Sequence, residues 1–236
     1  MAGLAVVAGA IAAVAGFGIG SLLTPALALS VGTRLAVAIV ALPHLVATAY
    51  RLWLLRADVD RKVLLSFGLA SAAGGLAGAL LHAFLASPVL SIILGLLLIL
   101  AGTLELSGLG RRPVIGDRLA LVAGAASGVF GGLVGNQGGI RSAALLRFDI
   151  SGRALVATST ATGLLVDLAR VPVYVVTSWQ DLLANWPMIG LLTVGVLVGT
   201  VVGAPILRRM PEQTFRRVLA VLLIGLGVLL VAGLGR

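Results

Sequence analysis

Apolar residues run in long blocks along this chain, and polar positions fall between the blocks or at two places inside them. A helix needs about 20 apolar residues to cross the hydrocarbon core of a bilayer. Blocks of that length predict spans over 35–55, 63–86, 89–108, 152–177, 187–207 and 218–234. Two further runs, 2–31 and 119–148, are about 30 residues long, too long for one upright span and too short for two. Each is interrupted near its middle, so each predicts two half-helices in a re-entrant or broken arrangement.

The second interruption is the sharper one. Val134-Gly135-Asn136-Gln137-Gly138-Gly139-Ile140-Arg141-Ser142 places four polar side chains and three glycines inside apolar sequence. Non-helical backbone at membrane depth is tolerated only where protein buries it or water reaches it. Breaks of this kind recur at transporter sites, where half-helix N-termini direct backbone N–H groups at an anion. The first interruption, Gly16-Phe17-Gly18-Ile19-Gly20 through Thr24-Pro25, is a weaker copy 119 residues earlier. Pro25 is expected near the start of its half-helix, where a missing N–H costs little.

That copy extends beyond the glycines. At an offset of 119, Gly9, Gly16, Gly20, Arg34, Val37, Ala38 and Arg51 match Gly128, Gly135, Gly139, Arg153, Val156, Ala157 and Arg170. The offset becomes 125 at two small-residue motifs, Gly74-x-x-x-Gly78-Ala79 and Gly199-x-x-x-Gly203-Ala204. The spacing predicts a duplicated chain, with repeats over 1–110 and 119–236 joined by a linker at 111–118. Small residues at this spacing predict close helix contacts.

Charge then bears on topology. With each interrupted run re-entrant, each half makes three crossings, and an odd number inverts the second half. The basic segments 56–62, 111–118, 147–153 and 208–217 then share one side, as the preference of Lys and Arg for the cytoplasm requires. The turns at 86–88 and 178–186, which carry no Lys or Arg, share the other. Arg34 and Arg236 are the exceptions. The expected fold is therefore an all-α polytopic membrane protein of two inverted repeats, each a re-entrant or broken helix plus three transmembrane helices.

Composition narrows the function. The chain is 60% hydrophobic and 11% charged over 236 residues, far below the charged share of soluble domains. The net charge of +9 sits in short loops between spans, so it reports topology and not a nucleic-acid face. There is no Cys, which removes thiol catalysis and thiolate metal sites. The two His residues have no acidic cluster in sequence, so no metal site and no cofactor are expected. The only lysine is Lys62, and no phosphate-binding glycine loop precedes it, which argues against ATP hydrolysis. No nucleophile–base spacing is recognisable, so no enzyme activity is expected.

The candidate substrate site comprises Gly16, Gly18, Gly20 and Thr24 at the first tip and Gly135, Asn136, Gln137, Gly138, Gly139 and Arg141 at the second. Arg141 has two readings: a fixed positive charge with forked donors for an anion, or a structural partner of Asp167 or of the interface. Thr158 and Ser159 offer hydroxyls inside a span, either lining a cavity or bonding back to the preceding turn. Asp167 and Arg170, at i and i+3, read as a local ion pair or as a proton-coupling acid beside it. His44 reads as a structural or proton-carrying histidine. Arg51 has Thr48 where Arg170 has Asp167, so it is expected to reach the interface.

The Gly16–Pro25 segment, its echo Gly135-Asn136-Gln137-Gly138-Gly139-Ile140-Arg141, and Val156-Ala157-Thr158 with Asp167-Leu168-Ala169-Arg170-Val171-Pro172-Val173-Tyr174 together resemble the TauE/SafE sulfite exporter family. The resemblance covers essentially the whole chain. It departs at Gly16–Gly20, which lacks the full glycine triplet, and at Ala143-Ala144, where a proline is usual. It implies a secondary transporter of the bacterial inner membrane that exports sulfite or an organosulfonate. A channel or uptake permease for another small organic acid, an intramembrane enzyme and a scaffold subunit are the alternatives. The expected partners are a small anion and the lipid bilayer, not nucleic acid, with a homodimer as one option.

Overall fold

A computed structural model describes residues 1–107, 117–145, 148, 150, 152–203, 205, 209 and 211–233. The expected linker lies outside the described residues up to 116, as do Arg147, Arg208 and Arg236. The described residues fold into helices: α1 (Ala2–Ala15), α2 (Ile19–Val31), α3 (Thr33–Leu55), α4 (Arg61–Phe84), α5 (Ser87–Ser107), α6 (Asp117–Val134), α7 (Gly138–Leu145), α8 (Gly152–Thr177), α9 (Trp179–Ala184), α10 (Trp186–Gly203) and α11 (Glu212–Val231).

Among the described residues, six helices are long and apolar enough to cross a membrane: α3, α4, α5, α8, α10 and α11. These are the six spans expected, with ends shifted by a few residues. The largest shift is at α11. Its first turns contain Arg216 and Arg217, so the expected basic loop is helical from Glu212 onward. The helix starts there because Pro211, with its fixed φ and no N–H, sits at the cap.

The two interrupted runs break where the glycines fall. Helix α1 has 14 residues, about 21 Å at 1.5 Å per residue, against about 30 Å of hydrocarbon. It stops at Gly16 in the left-handed region, and α2 starts after Gly18, whose φ is 138°. Gly135 ends α6 in the same way, with φ of 72°. Only glycine takes these angles without strain. Pro25 falls inside α2 and not in its first turn. It therefore deprives the half-helix of one internal hydrogen bond.

Small residues decide which helices touch. A methyl group added at Gly74 or Gly78 would collide with the carbonyls of Ala125 or Val129, so α4 lies backbone to backbone on α6. Gly199 meets the Val6 carbonyl and Gly9 meets that of Val196, which places α10 equally close to α1. These contacts correspond under the two offsets. The 119 shift carries Gly9 to Gly128 and Val6 to Ala125. The 125 shift carries Ser71 to Val196 and Gly74 to Gly199. Gly128 does meet the Ser71 carbonyl. Helices α5 and α11 pair through Gly95 and Gly227, each facing the other's carbonyl. Helices α3 and α8 meet in the centre, where the buried charges lie.

Candidate functional site

Helices α2 and α7 begin beside each other. Gly20 would strike the Gly135 carbonyl if it carried a methyl group, and Ser21 Oγ donates to Asn136 Oδ1 at 2.9 Å. The first intrahelical donors are Leu22 N–H to Gly18 O and Arg141 N–H to Gln137 O. Earlier N–H groups in each first turn have no intrahelical acceptor. Both first turns border one small polar cavity of about 10 Å³, which His44 and Arg141 also line. That volume holds about one water.

Several buried polar atoms here lack a partner. Arg141 is 2% exposed; its Nε donates to Ser159 Oγ at 3.0 Å, while its Nη1 has no hydrogen bond. Both amide atoms of Gln137 and the hydroxyl of Thr24 are likewise unsatisfied. A buried polar atom without a partner costs about 1–3 kcal/mol, so Gln137 and Arg141 on one cavity mark a place built for something polar; Thr24 does not line the cavity and lies one layer behind it, against Gly135. The Gly163 backbone lies behind the guanidinium: a methyl group there would come 2.9 Å from Nη1.

Beside the cavity runs a chain of hydrogen bonds between α3 and α8. His44 Nδ1 is 2.6 Å from Asp167 Oδ2, and Arg170 Nε donates to Asp167 Oδ1 at 2.9 Å. Arg170 Nη1 donates to the Gly131 carbonyl at 2.6 Å, and Tyr174 Oη donates to that of Gly132. On the other flank Arg51 Nη2 donates to Thr48 Oγ1 at 3.3 Å, and Thr48 lies 3.4 Å from His44. The local Asp167–Arg170 pair is therefore one part of a larger cluster that includes His44. Asp167 has two partners other than Arg141, which turns to Ser159.

Arg51 does not reach the interface. It is 6% exposed, and its Nη1 donates to the Ala12 carbonyl at 2.5 Å in the last turn of α1. The negative end of a helix dipole and a carbonyl with a second lone pair to offer attract a cation there, which replaces the acid that the sequence lacks.

The remaining predicted residues divide. Gly18, Gly20, Gly135, Asn136, Gln137, Gly138, Arg141 and His44 line the polar cavity. Gly16, Gly139 and Ser159 line a neighbouring vestibule of about 580 Å³. Thr158 points elsewhere: its hydroxyl accepts from Asp60 N–H at 2.9 Å and ties the α3–α4 loop to α8. Sequence reasoning missed Phe17 and Ser21. Ser21 is one residue beyond Gly20 and was visible as a hydroxyl in the first turn of a half-helix. Among the described residues no group of His, Asp and Glu is arranged to hold a metal ion.

A family model described as sulfite exporter TauE/SafE matches residues 1–230. No curated protein and no solved structure matches the chain.

Proposed function

The chain belongs to the sulfite exporter TauE/SafE family, and from that premise we propose that it carries a small oxyanion, sulfite or an organosulfonate, out across a bacterial inner membrane. One observation carries the anion reading. Among the described residues, Arg51, Arg141 and Arg170 are buried against a single buried carboxylate, Asp167. With His44 neutral, the three positive charges and one negative leave a formal excess of two positive charges. Buried charge without compensation is strongly unfavourable. An oxyanion at the meeting of two helix N-termini supplies the missing negative charge, and those N-termini favour it further.

Each group has a role in this reading. Arg141 Nη1 and the Gln137 amide bind the oxyanion directly, since both have unused hydrogen-bonding capacity. Ser159 holds the guanidinium plane through Nε. The His44–Asp167 pair, buried beside the cavity, is the candidate for carrying a coupling proton, because histidine titrates near neutral pH. The cavity of about 10 Å³ is too small for sulfite, so the tips separate when substrate enters. The corresponding contacts of α1 with α10 and α6 with α4 support two halves of like build, the one-sided basic loops support their inversion, and inverted halves rock around such a site in other transporters.

Flux into liposomes tests the reading. Purified protein should accelerate sulfite or short-chain sulfonate movement, and Arg141→Gln should remove that acceleration at low substrate. Equal flux by both proteins would overturn the anion site. His44→Gln should flatten the pH dependence of flux if the pair couples protons.

A further inference from the structure

Two cavities lie on either side of the first tip: the polar one at Arg141 and the vestibule of about 580 Å³. Among the described residues, Phe17 alone lines both. We propose that Phe17 is the gate between them, the residue that decides when an anion in the vestibule reaches Arg141. The proposal rests on the anion site above and adds its entrance.

Three observations support it. First, the ring is wedged. A methyl group on Gly138 would collide with Phe17 Cβ and lie 2.7 Å from Cγ, so the side chain lies directly on the first residue of α7. Glycine at 138 is what lets the two tips close. Second, Phe17 is on a hinge. Gly16 and Gly18 flank it with φ of 78° and 138°, outside any helix. Glycine crosses between backbone regions at little cost, and hinge residues are those that absorb such changes. Third, the vestibule ends at the gate. Ser159, which holds Arg141, lines it together with Gly16 and Gly139. An anion in the vestibule is therefore one side chain away from the guanidinium.

The 119 shift adds a contrast. The position corresponding to Phe17 is Asn136, which is latched to Ser21 at 2.9 Å. An apolar ring closes one tip and a hydrogen bond closes the other. In an inverted pair of halves the two entrances thus open at the expense of different contacts.

The vestibule mouth carries the Glu105–Arg216 ion pair at 2.5 Å, next to the basic end of α11. This places the vestibule on the side of the basic loops. The test uses Ser21→Cys as a reporter lining the polar cavity, the only thiol in the chain; its bond to Asn136 is lost in every variant alike, so rates are compared within that background. Membrane vesicles of each orientation are treated with an anionic, membrane-impermeant thiol reagent. Phe17→Ala should raise the labelling rate from the basic-loop side about 10-fold or more, because the closed population loses its plug, and leave the rate from the other side unchanged. Phe17→Leu should give an intermediate rate and serves if the alanine variant fails to fold. Elution as a single species shows that each variant is folded.

Labelling that does not change in either folded variant overturns the gate, as does an equal rise from both sides. Labelling needs no transport. If the unsubstituted protein moves neither sulfite nor sulfonates while the gated labelling appears, the anion reading fails and the gate stands. If flux is present and labelling is unaffected, the gate alone fails.

Discussion

Arg51 Nη1 donates to the carbonyl of Ala12 at 2.5 Å, four residues before Gly16 breaks α1. Arg170, 119 positions later, does the same to Gly131, four residues before Gly135 breaks α6. In each case the same carbonyl also accepts from the N–H of the breaking glycine, at 3.0 Å. Two arginines thus fix the ends of the two half-helices from which the tips depart. They also supply two of the three buried positive charges that the proposed anion offsets.

The two arginines should differ in how much they stabilise the fold. Arg170→Gln leaves Asp167 buried with only His44, and breaking a buried pair in this way costs about 3–5 kcal/mol. Arg51→Gln loses hydrogen bonds but strands no carboxylate, so about 1–3 kcal/mol is expected. Thermal unfolding in detergent should rank Arg170→Gln well below Arg51→Gln. Asp167→Asn should recover part of the Arg170→Gln loss and none of the other. Equal melting temperatures for the two single variants would contradict this ranking.

Glycines in backbone contact should be the least replaceable. Gly78→Ala and Gly199→Ala push a methyl group into the Val129 and Val6 carbonyls, and overpacking of this kind costs about 1–3 kcal/mol. Gly203→Ala would bring its methyl group 2.6 Å from Ala10 Cβ, which its own backbone fixes, so a loss is expected there too. Gly190 and Gly225 have nothing within 4 Å. Alanine there should be neutral or stabilising, since alanine favours a helix by about 1 kcal/mol. Losses at Gly190 as large as those at Gly78 would show that backbone contact does not govern these positions.

The spans were legible because hydrophobic run length is a direct physical requirement of the bilayer. The second tip was legible because Asn136, Gln137 and Arg141 contrast with everything around them. Phe17 was not, because an apolar ring in an apolar run carries no contrast. Only its position between two glycines with positive φ gives it away. Arg51 was matched with Arg170 by spacing, yet its burial was missed. Its partner is a backbone carbonyl, and carbonyls leave no trace in side-chain pattern. Thr158 failed for a related reason: its hydroxyl serves a loop N–H that a reading of one span does not place beside it. The small-residue motifs predicted close packing, but not that each half's small-residue helix packs on the other half's broken helix.

The side of each loop follows from the placement of basic residues. Arg56, Arg61 and Arg209 should be cytoplasmic, and Trp179 and Asp181, at the loop without Lys or Arg, periplasmic. Single cysteines at these positions, in a chain with no native Cys, give a clean readout with an impermeant thiol reagent. Positions 56 and 209 should label from the same face and position 179 from the opposite one. Labelling of 56 and 209 from opposite faces would contradict the inverted arrangement.

Arg141 is where the anion reading is most exposed to test. It lines the polar cavity; its Nη1 is buried without a partner, while Nε is held by Ser159. Losing one charge-assisted contact to substrate costs about 1.5–3 kcal/mol, or about 10- to 150-fold in affinity. Arg141→Gln should raise the apparent KM for the anion by that factor in a folded protein. Arg141→Lys should recover only part, because a point charge replaces a planar fork. Gly163→Ala, whose methyl group would come 2.9 Å from Nη1, should shift the guanidinium and raise KM without removing charge. The rival role, a structural partner of Asp167, predicts instead that Arg141→Gln misfolds and that Asp167→Asn rescues it. Asp167 is already satisfied by His44 and Arg170, so the double variant should be no better folded than Arg141→Gln alone. Rescue of folding in that double variant, with KM unchanged in any folded Arg141→Gln, would assign Arg141 to the scaffold and leave the anion without its central charge.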